Sequence, residues 1–184
     1  MDTKDIVVLG IDPSLTETGL CFYNISGKYA FETIKGKKLR GVERLAFFRK
    51  SFSNLIYQYN PVFAIIENYA YATGHSGKPY TTGELGGVFR LALYDNTVAF
   101  NVVAPPSVKK YCTGSGRADK NVILKEVFRR WEVDVTSDDL ADAFVIAKIA
   151  EAVWSVQNNR DIILMKTERE VVNKILNENS GDNQ

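Results

Sequence analysis

The sequence predicts an α/β fold on a sheet of mixed direction, and two observations lead there. Three short runs rich in β-branched and aromatic residues follow one another at the amino end, and strand-like runs then alternate with stretches whose apolar residues recur at helical spacing. The first run, Ile6-Val7-Val8-Leu9-Gly10-Ile11, is bounded by turn formers and reads as a central strand. Pro13-Ser14 turns the chain, and after Gly19 the run Leu20-Cys21-Phe22-Tyr23-Asn24-Ile25 reads as the returning arm of a hairpin. Lys28 to Ile34 supplies a third strand and completes an antiparallel meander.

Arg40 to Tyr59 changes period. Val42, Leu45, Phe48, Phe52, Leu55, Ile56 and Tyr59 form one stripe, with Arg44, Arg49 and Lys50 off it, which predicts an amphipathic helix with a basic outer face. Pro61 is followed by a strand, Val62 to Glu67. A polar loop from Ala72 to Gly83 leads to a helix from about Glu84 to Asn96, then a strand from Val98 to Ala104 ended by Pro105-Pro106. Beyond it the pattern is helical: a short piece after Pro106, a polar loop from Thr113 to Ala118, a helix opened by Asp119 and another opened near Ser137-Asp138. Met165 to Leu176 reads as a last helix, and Gly181 to Gln184 should fray.

A chain of 184 residues that is 45% hydrophobic can bury one good core, so one domain with a short appendage is expected. The formal charge of +1 hides a basic strip: Lys35 to Lys50 holds seven basic residues and one acid. Such a strip is either a solvated helix face or a surface for phosphate. Cys21 and Cys112 lie among apolar residues and read as buried free thiols. With no secretory signal and no run of transmembrane length, a cytoplasmic protein without a membrane partner is expected.

Carboxylates interrupt this apolar pattern where burial should be deepest. Asp12 ends the first strand and Glu67 ends the fourth. In Ser137-Asp138-Asp139-Leu140-Ala141-Asp142, a helix turning about 100° per residue places Asp139 and Asp142 in one sector with Ile146, Ile149, Ala150 and Val153. Asp138 falls at the edge as a cap or dipole partner, and Lys148 and Glu151 fall on the opposite, polar side. Each acid alone has a structural explanation, in a turn, an ion pair or a cap. Together, carboxylates in a low dielectric repel one another unless divalent cations neutralise them. Oxygen donors without a Cys or His set suit Mg²⁺ or Mn²⁺ rather than Zn²⁺, and the single histidine, His75, reads as a loop residue. Two such cations activate water and stabilise a leaving oxygen in phosphodiester hydrolysis.

Gly10-Ile11-Asp12-Pro13, Ile65-Ile66-Glu67, Gly114-Ser115-Gly116-Arg117-Ala118-Asp119-Lys120 and Asp139-Leu140-Ala141-Asp142-Ala143 resemble, in order, the signature segments of the RuvC family of Holliday junction resolvases. The match spans roughly residues 6 to 150. The resemblance implies a ribonuclease H-like fold whose mixed five-stranded sheet, three antiparallel strands then two parallel, is flanked by helices. It implies a nuclease domain over 1–160 and a helical extension over 161–184. It implies a homodimer that makes paired, symmetric nicks in four-way junctions and leaves 5′-phosphate and 3′-hydroxyl ends. It carries the catalytic metal ligands onto Asp12, Glu67, Asp139 and Asp142, for two Mg²⁺ per site with Mn²⁺ as substitute. Lys109 and Lys120 match basic positions that contact DNA near the cleaved phosphate, with Lys120 also placed in the catalytic set, and Arg117 lies in the same segment. Such contacts hold the backbone without reading sequence.

The chain departs from the family where an aromatic residue stacks near the junction centre: that position is Ala70, between Tyr69 and Tyr71. Either tyrosine is a candidate for stacking on unpaired bases, or for core packing. The acidic, extended carboxyl end suggests a phage or mobile-element homologue, acting in the host cytoplasm, with activity on other branched DNA as an alternative. Gly86-Gly87 in the helix before Leu91 and Ala92 permits close helix approach, and family dimers use the equivalent region. Two rivals remain at this stage. Gly10, Asp12 and Gly19 also fit the phosphate hairpin of an actin-like or sugar-kinase ATPase, but that architecture needs a second such domain, which this length does not supply. A non-catalytic junction-binding protein would be favoured by loss of an acid, yet all are present.

Overall fold

The computed structural model describes residues 6–36, 38–68 and 79–179. Strands β1 (Val7–Asp12), β2 (Glu17–Asn24) and β3 (Tyr29–Lys35) form the expected meander, followed by α1 (Gly41–Tyr59), β4 (Phe63–Glu67), α2 (Pro79–Asp95) and β5 (Ala99–Val103). The helices α3 (Pro105–Thr113), α4 (Lys120–Trp131), α5 (Asp138–Gln157) and α6 (Lys166–Asn179) complete the chain. The sheet has five strands in the order β3-β2-β1-β4-β5. β1 is antiparallel to β2 and β2 to β3, whereas β1–β4 and β4–β5 are parallel. This is the mixed sheet that the sequence predicts.

Alternation along the strands sorts side chains to two faces. Leu9, Ile11, Leu20, Phe22, Ala64 and Ile66 pack beneath α1 and α2 with Phe48, Phe52 and Phe89. Val8, Cys21, Tyr23, Phe63 and Ile65 pack on the other face with residues of α3, α4, α5 and α6. Full burial of each phenylalanine contributes about 1.5–3 kcal/mol, and Phe52 meets Phe89 edge to face at 4.8 Å and 74° between α1 and α2. The carboxyl-terminal helix belongs to this second core, since Val171, Val172 and Ile175 of α6 are buried in it.

Two local expectations are corrected. α2 starts at Pro79, not near Glu84, so residues 79–83 are helix where a loop was expected. Proline suits a first helical position, and burial of Leu85 and Phe89 outweighs the weak propensity of Thr81-Thr82-Gly83. Lys148 and Glu151 do not face solvent either. Covered by packed elements on most sides, α5 has little polar face, and this pair keeps only 14% and 15% of its side-chain area exposed. Lys148 Nζ donates to Glu151 and to Tyr23 Oη (3.0 Å), and sits 4.3 Å from the centre of the Tyr23 ring.

Burial alone draws the Lys148 ammonium down, but the charge and hydrogen bond of Glu151, joined by Tyr23, outweigh it and hold the group above its usual 10.5. A folded value above the unfolded one means that this stabilisation is complete below the usual value and is lost as pH rises through the higher folded one. Lys148→Met is therefore expected to cost about 3 kcal/mol at neutral pH by stranding Glu151. Thermal melts through the alkaline range should show the deficit narrowing, and a deficit constant with pH would refute the assignment.

Candidate active site

Strand parity decides where the acids point. Asp12 shares its side of β1 with Val8 and Gly10, and Glu67 shares its side of β4 with Phe63 and Ile65, so both end their strands on the α5 face. The parallel register pairs Ile11 with Ile66, and so the two acids follow side by side at the carboxyl edge of the sheet. Crevices at that edge of parallel strands are a common place for ligands in α/β proteins. Asp12 pairs across the hairpin with Gly19. The turn between them is tied by Thr18, wholly buried, which donates from Oγ1 to Ser14 O (2.9 Å) and accepts from Ser14 N (3.1 Å).

α5 brings the remaining acids. Its amino end is set by Ser137, whose Oγ accepts from Leu140 N at 3.3 Å, while Asp138 and Asp139 occupy the first turn, where negative charge suits the helix dipole. The cap is Ser137; Asp138 lies just inside the helix. Glycines determine how close the helix comes. A Cβ on Gly19 would stand 2.5 Å from Asp139 O, and one on Gly10 would stand 2.2 Å from Ala143 O and 2.3 Å from Ala147 N. Thus α5 rests on bare strand backbone, with Asp139 above the partner of Asp12. Asp139 and Asp142, one helical turn apart, are half-buried, as are Asp12 and Glu67.

The donor set is oxygen-only and fits a hard divalent cation. Among the described residues no group of three or more His, Cys, Asp or Glu is arranged to hold a metal ion, and Asp12, Glu67 and Asp142 each have an interaction within the protein. Backbone placement brings the four acids to one end of the sheet.

The basic candidates lie on an elbow beside this end. β5 stops at Val103, the register partner of Glu67, and Asn68 N donates to Val103 O at 2.7 Å before α3 begins. α3 carries Lys109, half-buried, and ends at Gly114 with φ of 83°. Residues 114–119 fold back so that a Cβ on Gly116 would stand 3.0 Å from Pro106 O, and α4 then opens at Lys120. Arg117 is exposed, and Asp119 occupies the cap position of α4 without a side-chain cap bond. Burial pushes the Cys112 thiol up to about 12, with Arg130 opposing and Glu126 and Asp142 adding. Asp142 is therefore felt at the end of α3. Cys112 and Cys21, whose thiol burial also raises, are free and buried, as expected. Tyr69, Tyr71 and His75 lie outside the described residues.

One contact was not foreseen from sequence. Arg90 of α2 donates from Nη2 to Asn68 Oδ1 at 3.3 Å, next to Glu67. A pairing across 22 residues between a loop and a helix leaves no periodic signal.

Comparison with known proteins bears on the family and the fold. The crossover junction endodeoxyribonuclease RuvC of Brachyspira hyodysenteriae is 31% identical over 149 residues, covering 77% of this chain and 91% of that protein. The protein of the same name from Caldicellulosiruptor saccharolyticus is 30% identical over 148 residues, covering 76% and 89%. Among solved structures, Thermus thermophilus RuvC superposes with a TM-score of 0.68 at 22% identity over 84% of this chain and 97% of that one. The same protein in complex with a Holliday junction substrate gives 0.69. At that identity the likeness shows the fold. The family model for crossover junction endodeoxyribonuclease RuvC matches residues 8–173, and this chain is accordingly a member of the RuvC family.

Proposed function

We propose that this chain is a metal-dependent endodeoxyribonuclease that resolves four-way DNA junctions by paired, symmetric nicks leaving 5′-phosphate and 3′-hydroxyl ends. The observation that carries the reading is the gathering of Asp12, Glu67, Asp139 and Asp142 at one sheet edge by parallel register, strand parity and the glycine seat of α5. These four would hold the metal, Mg²⁺ or Mn²⁺ and two per site, which supplies an activated water and charge stabilisation at the phosphate. The chain's own part is placement: the sheet fixes Asp12 and Glu67, and α5 fixes Asp139 and Asp142 against them. Lys109, Arg117 and Lys120 on the elbow hold the DNA backbone beside the acids, with Lys109 and Lys120 near the cleaved phosphate. Tyr69 and Tyr71 remain the candidates for stacking at the junction centre.

Symmetric incision requires two sites, and α2 offers the face for a homodimer. A Cβ on Gly87 would meet nothing within 4 Å, and Leu91 and Tyr94 are exposed on the same side of the helix. A neighbouring apolar groove runs between Val42, Leu45 and Ala46 of α1 and Val88 of α2. The proposed partners are branched DNA and a second copy of the chain, and no described helix is long and apolar enough to cross a membrane.

The test is Mg²⁺-dependent cleavage of a labelled four-way junction beside linear duplex, single strand and a three-way branch. Symmetric nicks confined to the four-way junction are expected. Comparable cutting of every branch would make the chain a general debranching nuclease, and tight binding without cutting would make it a junction-binding protein. Lys120→Ala should weaken junction binding and reduce the salt slope by about 1. An unchanged slope would remove Lys120 from the phosphate contacts.

A further inference from the structure

The elbow that bears Lys109, Arg117 and Lys120 makes few backbone bonds of its own between residues 114 and 119, where Ala118 N donates to Ser115 O and Gly116 leans on Pro106. Thr113 Oγ1 and Ser115 Oγ tie it locally, accepting from Ser115 N at 3.1 Å and from Arg117 N at 3.4 Å, and a longer link comes from α4. Arg130, in the last turn of α4, donates from Nη1 to the carbonyls of Tyr111 (2.9 Å) and Cys112 (2.7 Å), the final turn of α3. The two ends of the elbow are thereby joined, with a cation on carbonyls that a helix terminus leaves unmet. The guanidinium is held in turn from the carboxyl-terminal helix: its Nη2 donates to Glu168 Oε1, and the pair is nearly buried, with 12% and 7% of the side chains exposed. Glu168 Oε2 accepts from Met165 N at 2.7 Å, the backward reach of an N3 glutamate to the residue before α6. One carboxylate thus closes the start of α6 and orients the arginine that ties α3 to α4. Lys110 Nζ to Glu170 Oε2, at 2.7 Å, adds a second link from α6 to α3.

We infer that Glu168 is a positioning residue for DNA engagement, acting through Arg130 to hold the elbow at the angle its basic residues need. The inference rests on the proposed reading that the elbow carries phosphate contacts. Neither Glu168 nor Arg130 touches DNA in this account. Arg130 is suited to the role because its rigid planar fork presents separate donors to Tyr111 O, Cys112 O and Glu168 in fixed directions, whereas a lysine ammonium is a compact point charge on a flexible stem. Glu168→Gln keeps both heteroatoms but removes the charge that orients the fork.

The experiment measures junction affinity against salt, and the single-turnover cleavage rate at saturating protein, for wild type, Glu168→Gln, Arg130→Lys, Lys109→Ala/Lys120→Ala and the combination of Glu168→Gln with the double lysine variant. Circular dichroism and melting curves establish folding. Glu168→Gln is expected to weaken affinity about tenfold, with a shallower salt slope, and to lower the single-turnover rate in parallel, since Lys120 moves with the elbow. Added to the double lysine variant it should change affinity by well under tenfold, because of the three contacts it positions only Arg117 is left; a purely structural defect would act equally in both backgrounds. Wild-type affinity in folded Glu168→Gln, with the double lysine variant weakened, overturns the inference alone. An unaltered double lysine variant overturns the underlying reading of the elbow. If Glu168→Gln does not fold, Arg130→Lys decides on the same criteria.

Discussion

Asp142→Asn is expected to reduce four-way junction cleavage by about 10³-fold while leaving junction binding in place, because a metal ligand supplies several kcal/mol of transition-state stabilisation and each tenfold in rate is about 1.4 kcal/mol. The residue sits one turn into α5, on the stretch that Gly19 and Gly10 admit to contact with the strands, and its charge is felt as far as Cys112. Asparagine keeps the shape and one oxygen but removes the charge that a divalent cation requires. A second readout does not need DNA. Magnesium at about a hundredfold above its dissociation constant should stabilise the wild-type fold by about 2.7 kcal/mol, since it binds the gathered acids only when they are gathered. Melting curves with and without Mg²⁺ should show that increment largely lost in the variant. Full retention of cleavage would take Asp142 out of the metal site.

Gly10→Ala should be the most damaging methyl in the protein. The new carbon would stand 2.2 Å from a carbonyl oxygen and 2.3 Å from a backbone nitrogen of α5, so no side chain can turn away to relieve it. Either the central helix lifts or β1 bends. The expected loss is about 4 kcal/mol or more, enough to unfold a domain of ordinary stability. Gly87→Ala provides the contrast, since its methyl meets nothing within 4 Å and sits inside a helix. There the change should raise the stability of the single subunit by up to about 1 kcal/mol. Urea unfolding of both variants measures the difference, and a Gly10→Ala protein that unfolds at the wild-type midpoint would mean that α5 does not rest on the strand backbone.

The extent to which these features can be read from sequence follows from the range of the forces behind them. β-branched runs, the stripe from Val42 to Tyr59 and the turn at Pro13-Ser14 are local signals, and those elements form close to the expected bounds, with β2 starting earlier, at Glu17 rather than Leu20. Asp12, Glu67, Asp139 and Asp142 were legible as acids at the edges of apolar elements. Their shared face follows only from the pairing of β1 with β4, which no single segment encodes. The start of α2 at Pro79 lies earlier than the sequence suggests because Thr81-Thr82-Gly83 carries a weak helical signal, and the buried Leu85 and Phe89 lie further along the helix. The Lys148–Glu151 pair was misplaced because helical periodicity shows which residues differ from the apolar stripe, not how many neighbours a helix has. The Arg130–Glu168 link joins residues 38 apart through a fork and a carboxylate, and neither residue type marks its partner in the sequence.

The seat of α5 on Gly10 and Gly19 also governs how the chain behaves while it is being made. The strand residues that α5 covers are synthesised well before α5 itself: Val8, Cys21, Tyr23, Phe63 and Ile65 wait with one face of the sheet open until residues 138–157 emerge. A nascent or truncated chain that stops short of Asp138 would present a strip of open backbone flanked by apolar side chains, the kind of surface on which polypeptides aggregate. The helix that completes the acid cluster is thus also the one that seals the fold, so a chain that has not closed this face has not assembled its acids either.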